Sequence, residues 1–375
     1  MNIGLDITSL IYQRGVSRYT ANLVRALDIY TTQNLFLYGS SLRKNLFLKQ
    51  AADQLVVDNG DQTQIQCLPQ SLQALAWRVG LNPIKKIFPK LDVFHSWDWL
   101  QPPDENLPLV STIHDLAILK YPETAHPKIV KAHQRSWKIL KERQAHIIAV
   151  SHATKKDVIK LLDFPNWRVH VIPEALPTEI NDVTKSLTEE RSDQIKNHLQ
   201  LNRPYIFFVG TREPRKNLKR LIKAWQPLAK DMDLVIAGDE GWDKTTNIKS
   251  QHLRFLGRVS EKELNVLYAE AEMFVYPSLY EGFGLPILEA FYHGVPVITS
   301  DLSAMIEVAG NAAELVNPLS IKEIRRAIKK IGRETKEKQR QRLQRMIIRL
   351  QMFSWEKVAK QTVQVYQRAI NDRLD

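Results

Sequence analysis

The chain has 375 residues, 44% hydrophobic and 25% charged, the balance of a soluble globular protein and not of a disordered one. Its length suits two domains that each bury a core, and no apolar run approaches the roughly 20 residues of a membrane span. Lysine and arginine outnumber aspartate and glutamate by 53 to 41, a formal net charge of +12, and the one cysteine, Cys67, excludes an internal disulfide. The opening MNIGLDITSLIYQRG carries Asp6 inside its apolar run and no basic leader, so it reads as a strand and not an export signal; a cytoplasmic location is expected.

In chain order, NIGLDI, NLFLYG, QIQCLP, LDVFHSW, PLVSTIHD and AHIIAVS read as buried strands. Between the last two, PKIVKAHQRSWKILKERQ repeats Val130, Trp137 and Leu140 on one helical face. Ser151 is placed to cap the helix ATKKDVIKLL, and RVHVIPEALP brings a strand to a proline-marked stop. Residues 179–200 are polar, without a strand signal, and read as a linker with some helical content.

The alternation then restarts. PYIFFVG is a strand, and Asn217 is placed to cap a helix that turns Leu218, Leu221, Ile222 and Trp225 inward. DLVIAG and LRFLG are strands, Ser260 and Glu263 form a capping box, and MFVYPS, a short helix closed by Gly294, and PVITS follow. Strand–helix alternation in both halves predicts an α/β protein with two doubly wound parallel-sheet domains, 1–178 and 201–354. Their ligand site is expected at the carboxyl ends of the strands, in the gap between domains. Residues 322–349 hold twelve Lys/Arg against three Glu; Ile324, Ile328, Ile331, Leu343, Met346, Ile347 and Leu350 recur at helical spacing, which predicts amphipathic helices with a basic outer face. Such a face is a solvated surface or a contact for an anionic membrane or phosphorylated substrate. With no aromatics to stack on bases, it does not read as a nucleic-acid site.

Four segments carry chemistry. In MFVYPSLYEGFGLPILEA, Gly282 and Gly284 let backbone N–H groups approach a ligand, Pro286 suits a first helical turn, and the helix start favours a phosphate. Glu289, one turn inside, can accept hydrogen bonds from vicinal hydroxyls, and Glu281 can reach another part of the same ligand; the alternative is a tight glycine turn with two unrelated glutamates. In VGTREPRKNL, Arg212, Arg215 and Lys216 can neutralise a diphosphate leaving group without a metal, or form a solvated basic turn. In STIHDL, His114 at a strand end can meet a sugar hydroxyl, or be a satisfied structural histidine. His95, Trp97, Asp98 and Trp99 in DVFHSWDW offer a weaker acceptor surface, and Gly15 in QRGVSRYTANL a backbone approach to phosphate. No metal spacing, nucleophile elbow or P-loop is present.

These segments, with VSHATKKDV, VIAGDEGW and LGRVSEKEL in the same order, resemble glycosyltransferase family 4, the retaining nucleotide-sugar transferases with two facing Rossmann-like domains, the GT-B fold. The resemblance implies that Glu289 holds the donor ribose, Glu281 sits near the donor sugar, and backbone at Gly282, Phe283, Gly284 and Leu285 meets sugar and phosphate. It also implies that Lys216 with Arg215 or Arg212 stabilises the departing diphosphate, that His114 lines the sugar, and that Gly15 approaches the diphosphate. Thr211 stands where many relatives carry an arginine, so the diphosphate role falls to Arg212 or Arg215. WEKVAKQTVQVYQRAI resembles the family's closing helix, which returns to the first domain. A hexosyl transfer from a nucleotide sugar to a glycan or lipid-linked acceptor, with no cofactor or metal and possible only at a water-poor site, is what the likeness implies. An epimerase or sucrose-synthase-like enzyme, a non-catalytic glycan- or lipid-binding scaffold, and a nucleic-acid binder are the competing readings.

Overall fold

A computed structural model describes residues 1–12, 15–55, 62–241 and 250–373; Gln13, Arg14 and Trp242, part of the motifs above, lie outside them. The chain divides into two compact units, Met1–Glu174 with Ser354–Asp375, and Ala175–Phe353.

The first unit is built on seven parallel strands, β1 (Asn2–Asp6), β2 (Asn34–Ser40), β3 (Thr63–Gln66), β4 (Val93–Trp97), β5 (Leu109–Ile113), β6 (His146–Ala149) and β7 (Val169–Val171), in the order β3-β2-β1-β4-β5-β6-β7. Parallel strands buried on both faces explain why these runs are almost continuously apolar and not alternating. Register places Asp6 opposite Tyr38 and Leu5 opposite His95. Tyr38, Trp77, Phe94, Trp137, Leu140 and Ile147 belong to one core cluster. Helix starts follow their caps: Ser151 accepts from Thr154 N at 3.0 Å, and Pro127 opens the helix Pro127–Glu142 where its missing N–H costs nothing.

The C-terminal helix Trp355–Asn371 belongs to this unit. It buries Trp355, Val358, Ala359, Thr362, Val365, Tyr366 and Ala369, spacings of three and four that make one continuous stripe. The Tyr366 hydroxyl lies 2.7 Å from Nδ1 of His95, whose Nε2 meets Thr112 Oγ1 at 3.0 Å.

The second unit has six parallel strands, β8 (Tyr205–Val209), β9 (Asp233–Ala237), β10 (Leu253–Gly257), β11 (Met273–Tyr276), β12 (Val297–Ser300) and β13 (Glu314–Val316), in the order β10-β9-β8-β11-β12-β13. The edge strand β13, three residues long and only partly buried, is too short to announce itself in the sequence. Residues read as a linker form two helices of this unit, Thr178–Ser186 and Glu189–His198, which bury Ile180 and Ile195.

The basic helices are present as Ile321–Ile331 and Lys336–Gln351, but the second departs from the expected face. Met346 is buried while Leu343 and Ile347 are 43% and 48% exposed, and Arg342 is buried against Glu334. Among the described residues no helix is long and apolar enough to cross a membrane.

His95 gives the first unit a defined acid response. Burial lowers its pKa to about 3, so it stays neutral in the folded chain while the unfolded chain protonates it below its ordinary value of 6.5. Its contribution is complete above pH 6.5 and is lost toward pH 3, at about 1.4 kcal/mol per pH unit. Chemical denaturation of His95→Gln should show lower stability at pH 7.5 but a shallower decline than wild type between pH 6 and 4; parallel curves would contradict this account.

Candidate functional site

The order of the second sheet places β8 beside β11, with the chain departing toward β9 from one and toward β12 from the other. Loops leaving two such strands diverge, and the crevice at their carboxyl ends is the usual ligand position of a doubly wound sheet. Here those loops are VGTREPRKN and SLYEGFG.

They are joined by hydrogen bonds. Asn217 Nδ2 donates to the carbonyls of Pro277 and Pro318 at 2.9 and 2.7 Å, and Leu279 N donates to the Arg215 carbonyl at 2.7 Å. Asn217 was expected to cap the following helix; its backbone is instead left-handed, at φ 61°, and its side chain clamps the neighbouring loops. Asparagine tolerates that conformation better than most residues. Lys216 lies along Gly210, where a β-carbon would stand 3.6 Å from its Cε.

The clamp brings Arg215, Lys216 and Glu281 together. Lys216 Nζ donates to Glu281 Oε1 at 2.7 Å and to the Tyr276 hydroxyl at 2.6 Å, while Arg215 donates to Glu281 Oε2 at 2.9 Å and to Glu213 at 2.7 Å. Tyr276 also donates to Glu281 Oε1, at 2.9 Å. Burial pushes the Glu281 carboxyl upward, but Lys216 and Arg215 outweigh it and hold the group at about 2. Lys216 moves down from its ordinary value because burial, and the Arg215 charge beside it, exceed what Glu281 returns. The result is an ionised carboxylate fixing two cations in a nearly dry setting.

Downstream, Gly284 takes φ 106° and starts the helix Leu285–Tyr292 with no side-chain cap, and Pro286 lies in its first turn. Only glycine adopts that backbone readily. Phe283 packs edge-on against Phe353 at 5.6 Å. Glu289 is buried, but its partner is Tyr268, whose hydroxyl donates at 2.9 Å; Glu289 and Tyr268 line a narrow crevice with Asn265 and His293. Of these two glutamates, Glu281 bonds Lys216 and Arg215, and Glu289 accepts from Tyr268. Arg212 also stands outside it, paired with the exposed Glu240 at 2.8 Å and stacked 5.0 Å over Phe255.

In the first unit, His114 pairs through Nδ1 with Glu174 at 2.8 Å and meets Tyr19 edge-on at 4.7 Å. Burial pulls its pKa down, yet the Glu174 bond and charge, with Asp98 and Asp115, leave it above its ordinary value. The Asp115 carboxylate accepts from Ala117 N and so caps a turn. Gly15 begins the helix Gly15–Tyr30, and a β-carbon there would meet nothing within 4 Å. His95 spends both ring nitrogens on Tyr366 and Thr112, so it anchors the C-terminal helix and offers neither nitrogen to an acceptor. Trp97 and Trp99 lie 5.3 Å apart, both 5.9 Å from Tyr12, and Asp98 faces His133 at 3.5 Å. Sequence reasoning missed Glu174, Glu213, Tyr268 and Tyr276. Of these, Glu213 and Tyr276 stood within the chemistry-bearing motifs, and the Glu213 carboxylate beside two cations was the signal to read. Among the described residues no group of three or more His, Cys, Asp or Glu is placed to hold a metal ion.

Two family models match the chain. One described as Glycosyltransferase Family 4 matches residues 13–180, and one described as Glycosyl transferases group 1 matches residues 189–347. O-antigen chain mannosyltransferase B of Escherichia coli is 32% identical over 269 residues, 68% of this chain and 69% of that protein. O-antigen chain mannosyltransferase RfbU of Salmonella typhimurium is 31% identical over 59% of this chain, which spans 60% of that relative's length. The crystal structure of Anabaena HepE in complex with UDP-glucose, at 16% identity, matches with a TM-score of 0.69 over 98% of this chain and all of that one, a likeness that shows the GT-B fold. The chain belongs to glycosyltransferase family 4.

Proposed function

We propose that this glycosyltransferase moves a hexosyl unit, of mannose or glucose type, from a nucleoside diphosphate sugar to a hydroxyl of a glycan, glycolipid or similar acceptor, with retention of anomeric configuration. The observation that carries the reading is the buried Lys216–Glu281–Arg215 network beside the uncapped helix start at Gly284. Breaking an anomeric carbon–oxygen bond builds positive charge on the sugar and negative charge on the departing diphosphate. Lys216 and Arg215 answer the negative charge, helped by the positive end of the Leu285–Tyr292 helix; preorganised electrostatics of this kind is usually the largest catalytic term. The fixed cations do this work without a metal. Glu281 keeps them charged and in position, and its own carboxylate, bonded to both, is poorly placed to act as a covalent nucleophile. Front-face attack, with a leaving-group phosphate oxygen taking the acceptor proton, accounts for retention in that setting.

The O-antigen mannosyltransferases among the relatives support a mannosyl donor and a role in envelope or exopolysaccharide assembly. HepE with UDP-glucose supports a nucleotide-sugar donor in general. Action in the cytoplasm, peripheral to the inner face of the membrane, fits the helix Lys336–Gln351, where Leu343, Ile347 and Ile348 are exposed among arginines and lysines. A helix of that make-up can dip apolar side chains among lipids while its cations meet anionic headgroups.

A thermal-shift screen of GDP and UDP should find one that stabilises the protein, because a ligand bound only by the native state raises its apparent stability. Lys216→Ala and Glu289→Ala should each abolish that shift, and Lys216→Ala should reduce turnover by about 10²–10³. Equal stabilisation of wild type and both variants would move the donor elsewhere. Product from an α-linked donor should keep the α configuration by NMR; a β linkage would reject front-face attack. Co-sedimentation should be stronger with phosphatidylglycerol vesicles than with phosphatidylcholine, and weaker in Ile347→Ser/Ile348→Ser and at high salt. Binding indifferent to lipid charge would remove the membrane from the proposal.

A further inference from the structure

We infer that the first unit binds a small phosphate-type anion in a groove along the open edge of β7, a site apart from the donor machinery and independent of the glycosyl-transfer reading. The order of the sheet leaves one side of β7 without a neighbouring strand. A groove of about 310 Å³ runs there between the start of the helix His152–Leu162 and the exposed side of the helix Trp355–Asn371. That is the lower end of the roughly 300–1,000 Å³ of small-ligand pockets. β7 is three residues long and Pro173 follows it closely, too short a template for an added strand, so the groove suits a compact ligand and not a peptide.

Its lining is cationic. Lys155 from the first helix, His170 from β7 and Arg368 from the C-terminal helix converge on it, with His152, Gln361 and Gln364 exposed beside them. Among the described residues that line the groove there is no carboxylate, and neither Lys155 nor Arg368 is paired with one. Arg368 Nη1 instead lies 3.4 Å from Nδ1 of His170.

The side chains around His170 fix which nitrogen it presents. Asp372 Oδ2 lies 2.8 Å from Nε2 of His146, whose Nδ1 lies 2.9 Å from Nε2 of His170. A carboxylate accepts, so a neutral His146 carries its proton on Nε2 and accepts through Nδ1. His170 therefore donates through Nε2 and keeps a bare Nδ1 on the Arg368 side. The charges that act on His170 come from His146 on β6, from Arg368 and Asp372 on and after the C-terminal helix, and from Lys155. Arg168, 4.0 Å from Asp372, is the nearest charge on its own segment. Burial, His146, Arg368 and Lys155 together hold the ring neutral, with its pKa lowered to about 4, against the pull of Asp372.

An anion between Lys155 and Arg368 reverses that balance. It relieves the repulsion between two cations, and it favours a proton on Nδ1, which then donates a third charged hydrogen bond. Donors supplied by three elements suit oxygens that point in several directions, as in phosphate, better than the two coplanar oxygens of a carboxylate. The positive end of the helix His152–Leu162 adds to the attraction.

Imidazole C–H resonances of the histidine-labelled full chain test this by NMR, with orthophosphate, pyrophosphate or glycerol 3-phosphate added and chloride holding ionic strength constant. The His170 signal, identified by its loss in His170→Gln, should move saturably with at least one of them, and its titration midpoint should rise in the bound state. Lys155→Gln and Arg368→Gln should each weaken binding by about tenfold, the scale of a lost charge-assisted hydrogen bond. Without anion, their thermal midpoints should equal or exceed wild type, since a like charge is removed; lower midpoints would mark both cations as structural and count against the site. Tightest binding of an inorganic anion would identify the free ion as ligand, and of glycerol 3-phosphate a phosphate ester. The His170 response should persist in Lys216→Ala; its loss there would place the phosphate in the second unit and overturn the proposal. A response no different from that to chloride, or equal affinity in both groove variants, would overturn it too.

Discussion

The structure of the second unit turns on one carboxylate. Glu281 is buried with two cations and a tyrosine hydroxyl, and each member would be costly to bury without the others. Removing one partner from a buried pair typically costs about 3–5 kcal/mol, because the remaining charge is stranded away from water. Such a network demands that its loops be held accurately, which explains features with no evident purpose alone. Asn217 sits in a left-handed conformation to tie three segments together, and Gly238 leaves room that a β-carbon would lose, since it would stand 2.3 Å from the Gly210 carbonyl oxygen. In the proposed transfer the departing diphosphate would meet cations already dehydrated and held in place, with little reorganisation left to the moment of reaction.

The first unit solves a similar problem with a different pair. His114 and Glu174 are brought together from the end of β5 and from the segment after β7, and a charged imidazole is favoured there despite burial. His95, only a strand away, has no carboxylate and is held neutral by burial. Two histidines with opposite protonation tendencies thus lie in one unit, and the difference is made chiefly by Glu174, with Asp98 and Asp115.

Much of the architecture was legible in the sequence, because parallel strands buried on both faces write themselves as apolar runs, and those runs recur between caps such as Ser151 and Ser260. The β13 edge was not, since Glu314–Val316 is three residues long and half solvated. The helices Thr178–Ser186 and Glu189–His198 were legible only as helical content in a linker, because each buries few apolar side chains and so lacks a clear stripe. At the site, the motifs identified Lys216, Arg215 and Glu281 but not their mutual pairing, which depends on the β8–β11 adjacency and thus on the strand order. Arg212 and Arg215 look equivalent in TREPRKN; only the loop geometry sends one to Glu240 and the other to Glu281. Leu343 and Ile347 fit an inward stripe by period alone, and the register of packing at Met346 turned them outward.

The C-terminal helix completes a sheet whose strands were all made before residue 175, and the entire second unit is synthesised in the interval. During translation, then, the first unit waits with the surface that Tyr366 and Trp355 will cover still open to water, while the later-made unit has every residue of its own core in hand. Maturation should therefore run against the order of synthesis, with the amino-terminal portion the last to become resistant to proteases and the more dependent on chaperones meanwhile.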